Sequence, residues 1–438
     1  MNNPSSTRNP FIYGRPVQGD EFIGRQPELS TIFNRLRNCE STAVVGEPHI
    51  GKSSLLLHIA NEATQSAFLG DDDRALIISS LDLHPISNDY TPRDFWDEAL
   101  SSLHDRPGNA ATARQVEEAV KANYSRRSLE RLFNHLSEGR RRLVLLLDEF
   151  ERLLIHPNFN DPSFFALTRS LSTRTGGLAI ITASRLTVTE MNERGRGLLD
   201  TGSPFFNNVI EVRLRPFDQV NIDVLLDRAG DKLSADDRRF VRRLAGKHPY
   251  LLQATAAALL ETTGAARPVQ AAERLYERIS FHFDDLWSSL DERSRTTAVI
   301  LGLMELGGRA QGRDFAFGEI ERVAAFGPEL RKLAELGWAE QAGEGWQFDW
   351  EHLLLWHEER WTMSAQACVW WVRDVAIAET RAVPKYADWL ANKQYRFLLT
   401  EEQWNGLTNA VRNMPDWAVR GVGGLARSLF EELTRHRT

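Results

Sequence analysis

The residues best suited to chemistry form a glycine-bounded loop, Gly46-Glu-Pro-His-Ile-Gly51, followed by Lys52 and Ser53. Glycines at both ends let the backbone turn tightly, so that successive N–H groups point towards one anion. The helix expected to follow directs its positive N-terminus to the same place. In such a loop the lysine reaches the β- and γ-phosphates of a nucleotide, and the serine hydroxyl binds Mg²⁺. The spacing therefore predicts a phosphate-binding site.

A pair of carboxylates, Asp148 and Glu149, directly follows the apolar run Leu143–Leu147. The carboxyl end of a buried strand is where α/β proteins bind ligands. There Asp148 would hold Mg²⁺ through water, and Glu149 would orient or deprotonate an attacking water molecule. The nearby Glu151 fits better as a helix-face or salt-bridge residue. Together with the loop, the carboxylates predict a nucleotide site.

A third apolar run, Ile180–Ala183, ends in Ser184 and Arg185. If this strand lies beside the acidic one, Arg185 faces the γ-phosphate. It would then sense the nucleotide or stabilise charge in the transition state. The spacing alone supports equally a solvated arginine at the end of a strand.

These groups come together only if a sheet positions them. Continuous apolar strands separated by helical segments, such as Ser53–Ala63, predict an α/β fold with a parallel sheet covered on both faces. The expected strands are Thr42–Val45, Ala75–Leu81, Leu143–Leu147, Leu178–Thr182 and Val209–Leu214.

The second half of the chain has a different pattern. From Asp218 the apolar period is helical, which predicts a helical lid. Further on, helices such as Phe317–Phe326 precede two short strands, Gly337–Gln341 and Trp346–Trp350, around the turn Ala342–Gly345; this order indicates a winged helix. Eleven of the twelve tryptophans lie in this half, which indicates a separate core.

The sequence thus predicts an α/β fold with a P-loop NTPase sheet followed by a helical lid, a winged helix and an all-α C-terminal domain. The expected borders are 1–20 for an N-terminal arm, 21–218 for the P-loop nucleotide-binding domain, 219–280 for the helical lid, 281–362 for the winged-helix-like domain and 363–438 for an all-α interaction domain.

Composition narrows the class of protein. The chain of 438 residues is 42% hydrophobic and 26% charged, which is typical of globular domains and argues against disorder. Its net charge of −7 provides no overall positive field for nucleic acid. No apolar run is long enough to cross a membrane, and Met1–Pro10 lacks the apolar stretch of a signal peptide. Two distant cysteines, Cys39 and Cys368, fit a reducing cytoplasm and form no disulfide framework. We therefore expect a cytoplasmic protein.

With these motifs assembled, the chain resembles STAND-type P-loop ATPases of the AAA-related group, which includes the NB-ARC and NACHT switch proteins. The loop and the acidic strand resemble Walker A and Walker B, and Thr182–Arg185 resembles the sensor-1 strand. Asn9–Gly14 and Phe22–Glu28 resemble the motif that packs beside adenine. Ser203–Asn207 is also similar to the family.

Gly246–Leu252 resembles the lid motif, whose proline contacts adenine in the family; the matching residue is Pro249. In NB-ARC proteins a winged-helix histidine touches the β-phosphate of ADP, and His352 is its nearest counterpart here. The sequence around His352 favours an ordinary buried or surface histidine instead. His49 stands where several relatives carry a basic residue.

The motifs and the resemblance together imply ATP or ADP with Mg²⁺ as ligands. The expected catalytic residues are Lys52, Glu149 and Arg185, and the expected metal ligands are Ser53 and Asp148. The expected nucleotide-binding residues are Arg25, Gly46, Glu47, Pro48, His49, Ile50, Gly51, Lys52, Ser53, Ser54 and Pro249.

Two functions fit this set. The first is a slowly hydrolysing molecular switch, in which ADP/ATP exchange controls assembly with a partner or effector through the C-terminal domain, with a nucleotide-dependent homo-oligomer as a further possibility. The resemblance places such switches in signalling or defence. A purely structural nucleotide-binding module is not expected, because the hydrolytic residues are all present.

The alternative is a DNA-handling AAA-type ATPase with a winged helix, such as an origin-recognition-like initiator, a transposition ATPase or a transcription regulator. DNA reading needs a basic helix and a basic wing. The candidate helix Pro328–Leu336 offers only Arg331 and Lys332. From Leu333 to Glu359 the sequence contains seven acids and no lysine or arginine. The sequence therefore disfavours a nucleic-acid partner at this domain.

Overall fold

The structure is a computed structural model. In it the chain forms two compact units. One unit is Arg15–Leu214; the other comprises Met1–Gly14 with Arg215–Thr438. The residues that the structure describes are 9–70, 76–196, 209–264, 267–295, 297–298, 301–302, 326–342 and 360–363.

The unit Arg15–Leu214 is built on the parallel sheet that the sequence predicts. Its strands are arranged in the order β2-β3-β4-β1-β5, and every neighbouring pair is parallel. The strands are β1 Thr42–Val45, β2 Leu76–Asp82, β3 Arg142–Asp148, β4 Leu178–Ser184 and β5 Ile210–Arg213.

Ten α-helices of this unit are described, and helices lie against both faces of the sheet. They are α1 Gln26–Arg37, α2 Lys52–Ala60, α3 Glu62–Leu69, α4 Pro92–Ala99, α5 Ser101–Asp105, α6 Ala110–Lys121, α7 Arg126–Glu138, α8 Glu151–Ile155, α9 Pro162–Arg174 and α10 Val188–Arg196.

Two apolar cores hold the sheet in place, one on each face. Successive strand residues point to opposite faces, so Leu145 belongs to the core with Phe95 and Phe133, whereas Leu146 belongs to the core with Phe33. All of these side chains are almost fully buried. The continuous apolar runs of β3 and β4 are explained by this double coverage.

One helix boundary differs from the sequence prediction. A single helix was expected over Ser53–Ala63, but α2 ends at Ala60 and α3 begins at Glu62. Asn61 has an extended backbone, and its side-chain oxygen accepts a hydrogen bond from Thr64 N at 3.2 Å. Asparagine competes for backbone hydrogen bonds in this way and starts a new helix.

After Arg215, the described part of the second unit begins with helices. Its described elements are α11 Gln219–Asp227, α12 Ala235–Ala245, α13 Pro249–Leu260, α14 Arg267–Ser289, α15 Gly327–Glu335, β6 Ala339–Ala342 and β7 Arg360–Met363. Asn9 and Ile12 hydrogen-bond to α13 through Ala257 O and Gln253 Oε1. Residues 9–14 therefore belong to this unit rather than forming a separate arm with residues 15–20.

The predicted winged-helix region is only partly described. Helix α14 continues through position 280, where a border between lid and winged helix was expected. Strand β6 pairs antiparallel with β7, a strand that the sequence did not suggest. Ala342 belongs to β6, so the expected turn does not begin there.

Several predictions fall outside the described residues. They are the helix Phe317–Phe326 apart from its last residue, the strand Trp346–Trp350, His352, the motif Ser203–Asn207 and the C-terminal domain beyond Met363. Of the helices that are described, none has the length and apolar character needed to span a membrane.

Candidate functional site

The glycine-bounded loop joins β1 to α2 at the carboxyl edge of the sheet. Gly46 donates its N–H to Ser184 O at 3.2 Å, which ties the loop to the end of β4. A Cβ at Gly46 would lie 2.8 Å from the Ile50 side chain and 3.1 Å from Leu214 O, so only glycine fits. Gly51 has a φ of 106°, a conformation that favours glycine, at the start of α2. The two glycines therefore shape the loop as the motif predicts.

Lys52 is buried inside this loop. Its ammonium group donates hydrogen bonds to Gly46 O at 2.8 Å and to Glu47 O at 3.0 Å. Burial lowers the pKa of Lys52, and the carboxylates of Glu149, Glu151, Glu47 and Asp148 act in the opposite direction. The loop thus contains a desolvated cation surrounded by acids.

The two acids predicted at the end of β3 lie beside the loop. Burial raises the pKa of Asp148, while a hydrogen bond with the Ser53 side chain, the Glu149 N–H and the nearby Lys52 oppose this effect. A neighbouring carboxylate, Asp82, raises the pKa of Asp148 further. The structure therefore brings together the residues expected to hold a metal ion and the loop lysine.

Glu149 occupies a strained turn between β3 and α8. Its φ of 53° is left-handed, and its N–H donates to Asp148 Oδ1 at 3.0 Å. Burial and the neighbouring Glu151 carboxylate raise the pKa of Glu149, and Lys52 lowers it. A carboxyl group with a raised pKa is a stronger base, as a group that orients or deprotonates water should be.

Asp148 and Ser53 fit the requirements of Mg²⁺. This ion takes oxygen ligands, usually one or two protein groups together with substrate phosphates and water. The described residues contain no cluster of three or more His, Cys, Asp or Glu side chains arranged to hold a metal by themselves. The adjacent carboxylate and hydroxyl therefore provide the kind of partial site that a phosphate-bound Mg²⁺ uses.

Arg185 lies at the end of β4, which is the neighbour of β3 as its predicted role requires. Its side chain pairs with Glu151, with Nε 3.4 Å from Oε1. Glu151 is thus the salt-bridge residue that the sequence suggested, and it also accepts a hydrogen bond from Arg185 N.

Arg25 is buried, and its guanidinium contacts protein groups. Nη2 donates to Ile50 O at 3.2 Å and Nη1 lies 3.3 Å from Glu28 Oε1. The described contacts make Arg25 a support of the loop backbone; direct nucleotide contact stays a prediction.

Ser54 and His58 tie the preceding segment to α2. Ser54 Oγ accepts a hydrogen bond from Val17 N at 3.1 Å. His58 Nδ1 accepts from Gly19 N at 3.1 Å, and the imidazole stacks on Phe22 with ring centroids 4.2 Å apart. Sequence reasoning missed this role of His58, for which the only signal was its position on α2.

The remaining predicted residues occupy different surroundings. Ile50 is buried, whereas His49 is exposed and has a φ of 60°. Pro249, the proline of the lid motif, begins α13 in the second unit. Asp82, at the end of β2 and in register with Asp148, was not predicted, although it too ends a strand rich in apolar residues.

Comparison with protein families agrees with this geometry. The profile described as "AAA ATPase domain" matches residues 21–179, and that described as "AAA-like domain" matches residues 124–303. The chain carries an AAA-type P-loop ATPase domain. The AAA domain includes the glycine-bounded loop and the Asp148–Glu149 pair, and the profiles do not distinguish the STAND class within the larger group.

A solved structure shares the fold. The Walker-type ATPase PABY2304 of Pyrococcus abyssi is 18% identical, with a TM-score of 0.51 over 82% of this chain and 98% of that chain. Two further solved structures are less similar. The ORC2 protein of Aeropyrum pernix is 12% identical, with a TM-score of 0.44 over 86% and 99% of the two chains. CDC6P from Pyrobaculum aerophilum is 14% identical, with a TM-score of 0.37 over 82% and 97%. No functionally curated protein matches the sequence.

Proposed function

We propose that this protein is a molecular switch that binds ATP, hydrolyses it slowly and uses ADP/ATP exchange to control assembly with a partner protein. The observation that carries the proposal is the buried Lys52 beside Ser53, Asp148 and Glu149. This set contains a phosphate-binding cation, oxygen ligands for Mg²⁺ and a candidate base.

Each residue then has a defined task. Lys52 binds the β- and γ-phosphates, and Ser53 and Asp148 hold Mg²⁺, which neutralises charge on the phosphates when it is bound. Glu149 accepts a hydrogen bond from the attacking water and orients it. Arg185 and the lid residue Pro249 are proposed contacts of the γ-phosphate and of adenine.

A switch requires that the two nucleotides stabilise different conformations of the protein. The second compact unit contains the proposed lid residue and is the part whose position the nucleotide would control. Signalling or defence, with the C-terminal domain as the partner-binding part, is the role that the STAND resemblance favours.

Nucleotide identification after purification tests this proposal. The full chain is purified without added nucleotide, denatured, and the released compounds are separated by chromatography. We expect about one ADP per chain in the wild type and none in Lys52→Ala. Absence of nucleotide together with rapid, DNA-stimulated ATP hydrolysis would contradict the switch.

The DNA-handling alternative depends on the basic residues of α15. Lys332 Nζ lies 2.9 Å from Asp291 Oδ2, and Glu329 pairs with Arg293. Carboxylates therefore offset the positive charges of Lys332 and Arg293. Arg331 is exposed. A gel-shift assay with double-stranded DNA tests this alternative: binding that Arg331→Ala abolishes would favour it over the switch.

A further inference from the structure

Glu151 is a buried carboxylate at the edge of the proposed site. It is the first residue of α8, and its side chain is only 5% exposed. Oε1 accepts a hydrogen bond from Arg185 N at 3.3 Å and lies 3.4 Å from Arg185 Nε. Two donors of one residue therefore converge on a single oxygen. Oε2 is buried and has no hydrogen-bond partner among the described residues.

The Arg185 guanidinium is exposed enough to exchange the Glu151 carboxylate for another anion. The Arg185 side chain is 53% exposed, so its guanidinium can turn without crossing the core. An ion pair with one exposed member is weak, whereas a phosphate accepts strong, charge-assisted hydrogen bonds from arginine. Glu151 also lies near Lys52, whose positive charge it stabilises. The carboxylate therefore stays partly compensated when Arg185 leaves.

We propose that Glu151 is a positioning residue that competes with the γ-phosphate for the Arg185 guanidinium. ATP offers this third phosphate and ADP does not, so breaking the Glu151–Arg185 pair weakens the binding of ATP alone. Glu151 thereby sets how strongly the site prefers ATP over ADP. This inference rests on the proposed nucleotide site and deepens it.

The experiment measures dissociation constants of ADP and of a non-hydrolysable ATP analogue, with Mg²⁺, for the full chain. In Glu151→Gln the amide oxygen can still accept from Arg185 N, but the charge that holds the guanidinium is lost. We expect the analogue to bind about three- to fivefold more tightly relative to ADP. Arg185→Ala is expected to weaken the binding of the analogue and to leave the dissociation constant of ADP unchanged.

The double variant separates this role from a general charge effect. If Glu151→Gln acted only by removing a negative charge near an anionic ligand, its effect would persist in the Arg185→Ala background. We expect Glu151→Gln to leave the analogue-to-ADP ratio unchanged there, because the competing guanidinium is gone.

Glu211→Gln is the matched control. Glu211 likewise accepts a backbone hydrogen bond, from Val188 N at 2.9 Å, and pairs with an arginine, Arg213, at 2.9 Å. We expect Glu211→Gln to keep the wild-type ratio of the analogue and ADP dissociation constants. The inference is overturned if Glu151→Gln leaves the ratio unchanged, or if its effect is the same with and without Arg185.

The remaining outcomes are also decisive. If Glu151→Gln does not fold, the affinities of Arg185→Ala decide the question. Equal losses of affinity for ADP and for the analogue overturn the inference. If the wild type binds neither nucleotide, the proposed function fails first and the inference fails with it.

Discussion

Three residues around the loop adopt left-handed backbone although none is glycine. Arg25 has a φ of 66°, His49 of 60° and Glu149 of 53°. Such conformations cost about 1–3 kcal/mol each and persist where surrounding contacts enforce them. The contacts are visible for Arg25 through Ile50 O and for Glu149 through Asp148. Part of the strain in this unit is thus concentrated at the proposed site.

Arg25→Met tests the support of the loop. The variant keeps much of the side-chain length but leaves the carbonyl of Ile50 without this donor and the carboxylate of Glu28 without its cation. An unsatisfied buried group costs about 1–3 kcal/mol, so we expect the free energy of unfolding to fall by that amount. Nucleotide affinity should fall as well, because the loop backbone loses its anchor.

Chemical denaturation and nucleotide titration measure both effects. Arg15→Met is the control, because Arg15 forms an exposed ion pair with Glu21 and should contribute little. If Arg25→Met behaves like this control in both measurements, Arg25 does not support the loop.

At the scale of elements, the segment before α1 is fastened to α2 by the helix residues Ser54 and His58. The contact from Gly19 N to His58 Nδ1 requires an unprotonated nitrogen. Burial lowers the pKa of His58 below its ordinary value of 6.5. The folded protein therefore binds a proton at this residue less readily than the unfolded chain does.

This difference predicts a pH dependence of stability. The stabilisation from neutral His58 is complete above about pH 6.5 and is lost as the pH falls through the lower folded-state pKa. In His58→Gln, where the amide oxygen can accept from Gly19 N without titrating, this part of the loss should disappear.

Unfolding free energies between about pH 7.5 and pH 5 provide the measurement. The surface variant His104→Gln is the control, since the His104 side chain is well exposed. Identical slopes for wild type and His58→Gln would show that the contact does not titrate.

Strands β3 and β4 were predictable because each is a largely apolar run that ends in a polar residue. The predicted role of Arg185 requires β4 to lie beside β3, and the structure pairs these two strands. The break at Asn61 and the contact between Arg25 and Ile50 were not predictable. A cap and a contact between distant residues depend on local geometry that hydrophobic periodicity does not encode.

At the level of the whole molecule, the chain separates into two compact units, with a border after Leu214. The assignment of residues 9–14 to the second unit was missed. These residues are held in the second unit by hydrogen bonds to distant positions, such as the bond that Arg278 donates to the Tyr13 hydroxyl at 2.7 Å. Hydrogen bonds between positions so far apart in sequence leave no periodic signal.

We propose that the domain of residues 21–179 binds ATP through Lys52 and hydrolyses it with the help of Glu149. The most direct test measures ATP affinity and steady-state hydrolysis of the full chain for the wild type and Glu149→Gln. We predict similar ATP affinities and a hydrolysis rate at least about 100-fold lower in the variant. A variant that hydrolyses ATP at the wild-type rate, or a wild type that binds no ATP, would contradict these roles of Lys52 and Glu149.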